Sequence, residues 1–167
     1  RRLRMIGHWA DLRGARVLEA GCGIGMYSSQ IRRRYSLQVE AFDIEPARIK
    51  QAQVDTPHAL VAAAEKLPYC DYLFDTVISN EVIEHVADDR MAAVEMVRVL
   101  KPGGRLVLFC PNRWYPVEQH GHYWRGDYHF GNTPLINYLP DRWRNKLAPH
   151  VRTYNAQQVE CLFNGLP

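Results

Sequence analysis

A chain of 167 residues can build one domain with a sizeable core and is not comfortably long enough for two. Its hydrophobic share of 47% and charged share of 23% are those of an ordinary soluble globular protein, and a formal net charge of +3 is too small to argue for nucleic acid or an anionic membrane. The four scattered cysteines, Cys22, Cys70, Cys110 and Cys161, form no C-x-x-C pair, so neither a disulfide framework nor a thiolate zinc site is suggested; with no spanning apolar run and no signal-peptide pattern, a cytoplasmic location is expected.

Arg1 to Asp11 reads as an amphipathic helix, because Leu3, Ile6 and Trp9 share one face, and the turn at Arg13-Gly14 closes it. The basic clusters Arg1-Arg2-Leu3-Arg4 and Arg32-Arg33-Arg34 read as solvated helix faces. Ala15 to Glu19 is a first strand that leads through Gly21-Cys22-Gly23-Ile24-Gly25 into a helix over Met26 to Tyr35. Alternate glycines let the backbone turn sharply and let a ligand reach the main chain, while the amides opening the helix face an anionic or polar group. A dinucleotide-binding turn has the spacing G-x-G-x-x-G, which would put its third glycine at Met26; here it is Gly25. Glu19 adds negative charge just before the turn, unfavourable to a diphosphate and favourable to an amino group or a sulfonium.

Leu37 to Phe42 alternates as a second strand and ends at Asp43, at the separation from Gly23 where an acid can accept hydrogen bonds from both ribose hydroxyls. The competing role for Asp43 is to cap the helix that starts near Pro46. His58 to Ala63 is a short third strand, followed by Ala64-Glu65; Glu65 reads either as a ligand contact or as a solvent-facing loop residue. Asp75 to Ser79 is a fourth strand, apolar enough to be buried on both faces, with Asn80 at its carboxyl tip beside the crevice where open α/β sheets bind ligands. A helix over Asp88 to Leu100, capped by Asp88 or Asp89, stops at Pro102-Gly103-Gly104 and feeds a fifth strand, Arg105 to Cys110. The fold class expected from this alternation is α/β: a Rossmann-like, doubly wound, mostly parallel sheet with helices on both faces.

From Arg113 to Leu139 aromatics and histidines crowd together without a regular period, which predicts an ordered loop with short helices above the strand tips. No supporting ligand spacing surrounds His120-Gly121-His122, so no metal is expected, and a general base is expected among Glu118, His120 and His122. Val151 to Tyr154 reads as a short strand and Asn155 to Phe163 as a helix capped by Asn155.

Together, Val-Leu-Glu-Ala-Gly-Cys-Gly-Ile-Gly from Val17, Phe-Asp-Ile-Glu-Pro from Phe42, Ala-Glu-Lys-Leu-Pro-Tyr from Ala64, Phe-Asp-Thr-Val-Ile-Ser-Asn-Glu-Val-Ile-Glu-His-Val from Phe74 and Leu-Lys-Pro-Gly-Gly-Arg-Leu from Leu100 carry a resemblance. The chain resembles the class I S-adenosylmethionine-dependent methyltransferases, in the group that includes ubiquinone-biosynthesis and other small-molecule methyltransferases. The resemblance implies a single domain over 1–167, with a cofactor-binding core at 16–112, an acceptor-side lid at 113–150, and at 151–167 only the start of the closing unit in which the family adds a sixth and an antiparallel seventh strand. It implies S-adenosylmethionine as co-substrate, held by Glu19, Gly21, Cys22, Gly23, Gly25, Asp43, Ile44, Ala64, Glu65 and Asn80, with Ala64 and Glu65 at the adenine edge. It places His85 beside the transferred methyl; His85, with His120 and His122, which enter by their own proton chemistry, makes up the catalytic candidates. Methyl transfer to a small or lipid-like acceptor, at oxygen, is the expected activity, and a nucleic-acid acceptor is not expected. The alternatives are a non-catalytic S-adenosylmethionine-binding scaffold or partner subunit and, with the wrong glycine spacing, a nicotinamide-dependent oxidoreductase.

Overall fold

A computed structural model describes residues 2–166. The chain divides into two compact units, one running up to Phe109 and taking in Gly165 onward, the other comprising Cys110–Asn164.

The first unit is a five-stranded sheet with every ladder parallel. Its elements in chain order are α1 (Arg2–Trp9), β1 (Val17–Ala20), α2 (Met26–Arg34), β2 (Val39–Asp43), α3 (Pro46–Ala52), β3 (Ala59–Val61), β4 (Phe74–Asn80), α4 (Asp89–Arg98) and β5 (Leu100–Phe109). The strand order is β3-β2-β1-β4-β5, so β1 lies at the centre and the order reverses between β1 and β4. Ligands of open α/β sheets bind in the crevice at such a reversal, beyond the carboxyl ends of the strands. Helices flank the sheet. Val17, Val39, Ile78 and Val107 share one core with Leu3 and Ile6 of α1 and Ile31 of α2, while Leu18, Phe42 and Val77, which alternate to the opposite face, are buried as well. Burial on both faces is what the apolar runs of β1 and β4 demanded.

The strands β1 to β3 lie within two residues of their expected bounds, and the junction of the fourth helix with the fifth strand differs more. The fourth helix ends at Arg98, and β5 begins at Leu100, which pairs with Phe74 before the register shifts and resumes at Thr76↔Arg105. The Pro102-Gly103-Gly104 turn is therefore an irregularity inside the strand, with Gly103 at φ 77°, and not a separator ahead of it. Arg1, expected to open the first helix, lies outside the described residues.

The second unit departs further. Where a loop with short helices was expected, four short strands form two antiparallel ladders: β6 (Val117–Glu118) pairs β9 (Thr133–Pro134), and β7 (His122–Trp124) pairs β8 (Asp127–His129). A single 3₁₀ turn over Ile136–Tyr138 and the helices α5 (Asp141–Leu147) and α6 (Ala156–Phe163) complete it. Strands of two or three residues are too short to register as a period of two; what makes the β7–β8 hairpin is the turn at Arg125 (φ 52°) and Gly126 (φ 98°), two left-handed residues in a row. Val151 to Tyr154 is not a strand, since only Tyr154 forms an isolated bridge, with Asn112. Asn155 does cap α6, its side chain accepting from the Gln158 amide at 2.8 Å while the Gln158 side chain accepts from the Asn155 amide at 2.9 Å.

Among the described residues, no helix is long and apolar enough to cross a membrane.

Candidate functional site

The tips of β1 and β2 are tied together by the residues that the glycine turn and the acid after β2 contribute. The Cys22 amide donates to the Phe42 carbonyl at 2.9 Å, and the Gly23 amide donates to Asp43 Oδ2 at 2.8 Å. Asp43 Oδ1 accepts from the Glu45 amide at 3.0 Å, so the carboxylate, 5% exposed, spans the turn and the entry to α3. Glu45, not Asp43, occupies the N-cap of α3, and no side chain caps that helix. Each carboxylate oxygen has a second lone pair, so the two amide bonds leave Asp43 able to accept from a ligand as well.

The three glycines of the turn serve different ends. A Cβ on Gly21 (φ 61°) would stand 2.3 Å from Val82 Cγ2, and one on Gly25 (φ 82°) would stand 3.0 Å from Ala52 Cβ. A Cβ on Gly23, by contrast, would meet nothing within 4 Å. Two glycines thus admit neighbouring elements of the fold, and the middle one presents open main chain.

Glu19 does not face the crevice as expected. It is 2% exposed, and its Oε2 accepts from the Ser28 amide at 2.7 Å. Because Gly25 has no side chain with which to cap α2, an acid on the preceding strand takes one of the helix's orphan amides. Burial pushes the Glu19 carboxyl up to about 7, with the Ser28 hydrogen bonds opposing and the Asp43 charge adding to it. Cys22 is a buried, inert thiol, pushed up to about 12 by burial and then by the charges of Glu19 and Asp43.

Beside these tips lies a cavity of about 590 Å³. Of the expected ligand residues, Gly21, Asp43, Ile44, Ala64 and Glu65 line it, together with His85; Glu19, Cys22, Gly23, Gly25 and Asn80 do not. Glu65 Oε1 accepts from the amides of Ala87 at 2.8 Å and Asp88 at 3.3 Å, which fastens the wall after β3 to the loop after β4. Asn80 Oδ1 is hydrogen-bonded by the Arg2 guanidinium, whose other nitrogen pairs with Glu81 Oε1 at 2.7 Å. His85 Nε2 stands 4.0 Å from Glu84 Oε1. Burial pushes the Glu84 carboxyl well above the usual carboxylate range, the neighbouring Glu81 carboxyl adds to that rise, and the Arg2 charge opposes it.

Arg48, Glu81 and Val82 line the cavity although sequence reasoning did not name them as site residues, and Arg2 acts on it through Glu81. Val82 and Glu81 follow the fourth strand in the quoted motif, but only the left-handed backbone of Glu81 (φ 57°) explains how Val82 comes down onto Gly21. Arg48, in the first turn of α3, lines the cavity as Ile44 does and pairs with Glu45 at 2.7 Å. Ionisable groups on the wall are thus the acids Asp43, Glu65 and Glu81 against Arg48, and His85. A cavity with that excess of acid suits a cationic ligand and disfavours a diphosphate.

The second unit holds its own polar cluster. Glu118, 1% exposed, accepts from the His120 amide and faces His120 Nδ1, both at 3.0 Å from Oε1, while Oε2 accepts from Arg144 Nη2 at 3.1 Å. Burial alone would raise the Glu118 carboxyl, but the His120 hydrogen bonds and the charges of Arg144 and His120 outweigh it and bring it down to about 2. His122 Nδ1 lies 3.0 Å from Thr133 Oγ1, and its ring stacks on His129 at 5.3 Å.

The family described as a methyltransferase domain matches residues 18–108. The chain is 33% identical over 153 residues to the 2-methyl-6-phytyl-1,4-hydroquinone methyltransferase of Synechocystis sp., covering 89% of this chain and 46% of that protein. It is 35% identical over 119 residues to the ubiquinone biosynthesis O-methyltransferase of Xanthomonas oryzae pv. oryzae, covering 67% and 49%. The chain therefore spans about half the length of these curated relatives. The crystal structure of an S-adenosylmethionine dependent methyltransferase from Mesorhizobium loti superposes with a TM-score of 0.71 at 18% identity, over 96% of this chain and 76% of that one, which is a likeness of fold.

Proposed function

From a chain that belongs to the methyltransferase domain family, we propose an enzyme that transfers a methyl group from S-adenosylmethionine to oxygen on a small-molecule or lipid-like acceptor. One observation carries the reading: the open main chain of Gly23 and the Asp43 carboxylate bound to it stand at the convergence of β1 and β2, beside a cavity whose wall is predominantly acidic. Those residues fit a nucleoside sulfonium. Asp43 has lone pairs to spare for ribose hydroxyls, Ala64 and Glu65 line the wall where an adenine edge would lie, and the excess of acid on that wall favours a sulfonium cation.

When bound, the sulfonium supplies an activated methyl. This chain's task is to hold donor and acceptor in line and to keep water out, which needs rigid walls more than reactive side chains. The bonds from Glu19 to the Ser28 amide, from Asp43 to the Gly23 and Glu45 amides and from Glu65 to the Ala87 and Asp88 amides provide that rigidity. A histidine among His85, His120 and His122 accepts the acceptor's proton. One relative is named for a hydroquinone and the other as an O-methyltransferase of ubiquinone biosynthesis, which supports a small quinol-type acceptor and transfer to oxygen. Isothermal calorimetry with S-adenosylmethionine tests donor binding, and release of S-adenosylhomocysteine across an acceptor panel tests turnover. Absence of binding refutes the reading, and binding without methyl transfer to any acceptor favours a scaffold.

A further inference from the structure

We propose a second binding site in the first unit, at the amino ends of its strands, for a planar aromatic compound carrying two or more negative charges, of the chemical class of a nucleoside diphosphate. It goes beyond the methyl-transfer reading and does not depend on it.

The place follows from the sheet. Thr76 and Arg105 are partners where the regular β4–β5 ladder resumes, and alternation puts them on the same face as Ile78 and Val107, which pack with Leu3 and Ile6 of α1. Beside that face and the later turns of α1 lies a cavity of about 830 Å³, within the usual range of about 300–1,000 Å³ for small-molecule sites. Thr76 and Asn80 stand at opposite ends of β4, on the order of 13 Å apart at the rise of a strand, so this cavity is remote from the strand tips where the other one lies.

Three arginines line it, each from a separate segment: Arg4 from α1, Arg13 from the turn that follows and Arg105 from β5. Among the described residues, none of the three guanidiniums has a hydrogen bond or an ion pair. The acids on the same wall are engaged. Asp75 Oδ2 accepts from the Arg16 amide at 2.8 Å and its Oδ1 from Lys101 Nζ at 2.7 Å, while Asp11 Oδ1 accepts from the Arg13 amide at 3.1 Å. Positive charge is thus in excess, and it outweighs the roughly half unit of negative charge at the carboxyl end of α1. A guanidinium fork matches phosphate oxygens two at a time, so three of them call for more than a single negative charge.

Gly7 is a second observation. It sits inside α1, where glycine is a poor helix former, yet it is not among the glycines with positive φ, and a Cβ there would meet nothing within 4 Å. Neither the backbone nor the packing of the chain requires a glycine; its bare main chain leaves room in the cavity wall. Aromatic rings stand beside that room. Trp9, expected to share the buried face of Leu3 and Ile6, is instead 65% exposed, with the His8 ring packed edge-on against it at 5.2 Å, and Tyr35 is half-buried against the same core. An indole left in water next to guanidiniums suits a ligand that brings a planar ring along with its charge.

The test is isothermal calorimetry of the full chain at low ionic strength with adenosine diphosphate, inorganic pyrophosphate and adenosine. Adenosine diphosphate is expected to bind about tenfold or more tighter than pyrophosphate, because the base adds stacking, and adenosine to bind weakest. Loss of a charge-assisted contact should weaken the nucleotide by about 10–100-fold in Arg13→Gln and in Arg105→Gln, with Arg105→Lys, which keeps the charge and loses the fork, in between. Gly7→Leu, whose side chain grows into the cavity, should abolish binding, and Asp43→Asn, at the other cavity, should leave it unchanged. Circular dichroism reports the fold of each variant, and Arg4→Gln replaces any that does not fold. No binding of adenosine diphosphate, or binding that the arginine and Gly7 variants leave unchanged, means solvated guanidiniums only and overturns the proposal. Pyrophosphate or adenosine binding as tightly as the nucleotide overturns it as well. So does binding that is lost in Asp43→Asn and kept in the arginine variants, which would put the nucleotide in the other cavity. S-adenosylmethionine is titrated into the same proteins; its failure to bind refutes the methyl-transfer reading and leaves the nucleotide result standing.

Discussion

Replacing Asp43 with alanine separates two roles that its carboxylate fills at once. The side chain accepts from the Gly23 amide at 2.8 Å and the Glu45 amide at 3.0 Å, so alanine strands both donors at the junction of β1, β2 and α3. A hydrogen bond to a charged group contributes about 1.5–3 kcal/mol, so the pair is worth roughly 3–6 kcal/mol, nearer the lower figure because the adjoining cavity lets water reach the amides. For a chain of this size each kcal/mol moves the melting temperature by about 2–4 °C, which gives an expected fall of about 6–12 °C. Ribose binding is a separate effect. Loss of two hydroxyl contacts to a carboxylate should weaken S-adenosylmethionine by about 100-fold or more. Differential scanning fluorimetry and calorimetry on Asp43→Ala and Asp43→Asn read the two effects apart. In Asp43→Asn one oxygen remains, but the amide nitrogen must face a backbone donor, so an intermediate stability is expected. Unchanged stability in Asp43→Ala would refute the bridging argument. Lowered stability with unchanged affinity would refute the ribose role and leave Asp43 a structural tie.

Other outcomes follow from the same contacts. Glu19 titrates near 7 in the folded chain against 4.5 for the free group, so the proton it holds stabilises the fold fully below pH 4.5, and that stability is lost as pH rises through 7, a change of about 3 kcal/mol. Urea denaturation at pH 5 and pH 8 should show that loss in the native chain and little of it in Glu19→Gln; an equal slope in both would exclude Glu19 as its source. Gly21→Ala combines left-handed strain with a Cβ 2.3 Å from Val82 Cγ2 and should cost about 2–4 kcal/mol, of which a second change, Val82→Ala, restores the packing part alone. If Val82→Ala gives no recovery, the close approach is not what requires the glycine. Arg144→Met leaves the Glu118 charge buried without its cation and should destabilise by about 3–5 kcal/mol, and adding Glu118→Gln should return much of it, as a double-mutant cycle in denaturant would measure.

The first unit was legible because its signals are periodic or local. Glycines at alternate positions, an acid at the end of the second strand and Asp88 at the head of α4, where its Oδ1 accepts from the Met91 amide at 2.9 Å, each act within a few residues of where they stand in the chain. Glu19 shows where such reading ends. Its charge could be seen in the sequence, but that it would turn inward to cap α2 depends on Gly25 having no side chain to do so. In the second unit the hairpin strands are shorter than any period, and the left-handed Arg125 is not a residue type that announces a turn. Glu118 and His120 were recognised as chemically capable, whereas Arg144, which reads as one more cation on the exposed face of a short helix, is nearly inaccessible because Glu118, Asn137 and Val151 surround its guanidinium.

The parallel order β3-β2-β1-β4-β5 has a bearing on how this chain reaches its native state. No ladder of the first unit can close by a tight turn, and Val17 must wait for Thr76 to be synthesised before β1 gains its second neighbour. Assembly of the sheet is thus governed by distant encounters, which slows it and leaves the apolar edges of β1 and β2 open to other chains while they wait. A strengthened α2 or α3 would hasten refolding little, whereas shortening the connection between β3 and β4 should hasten it most.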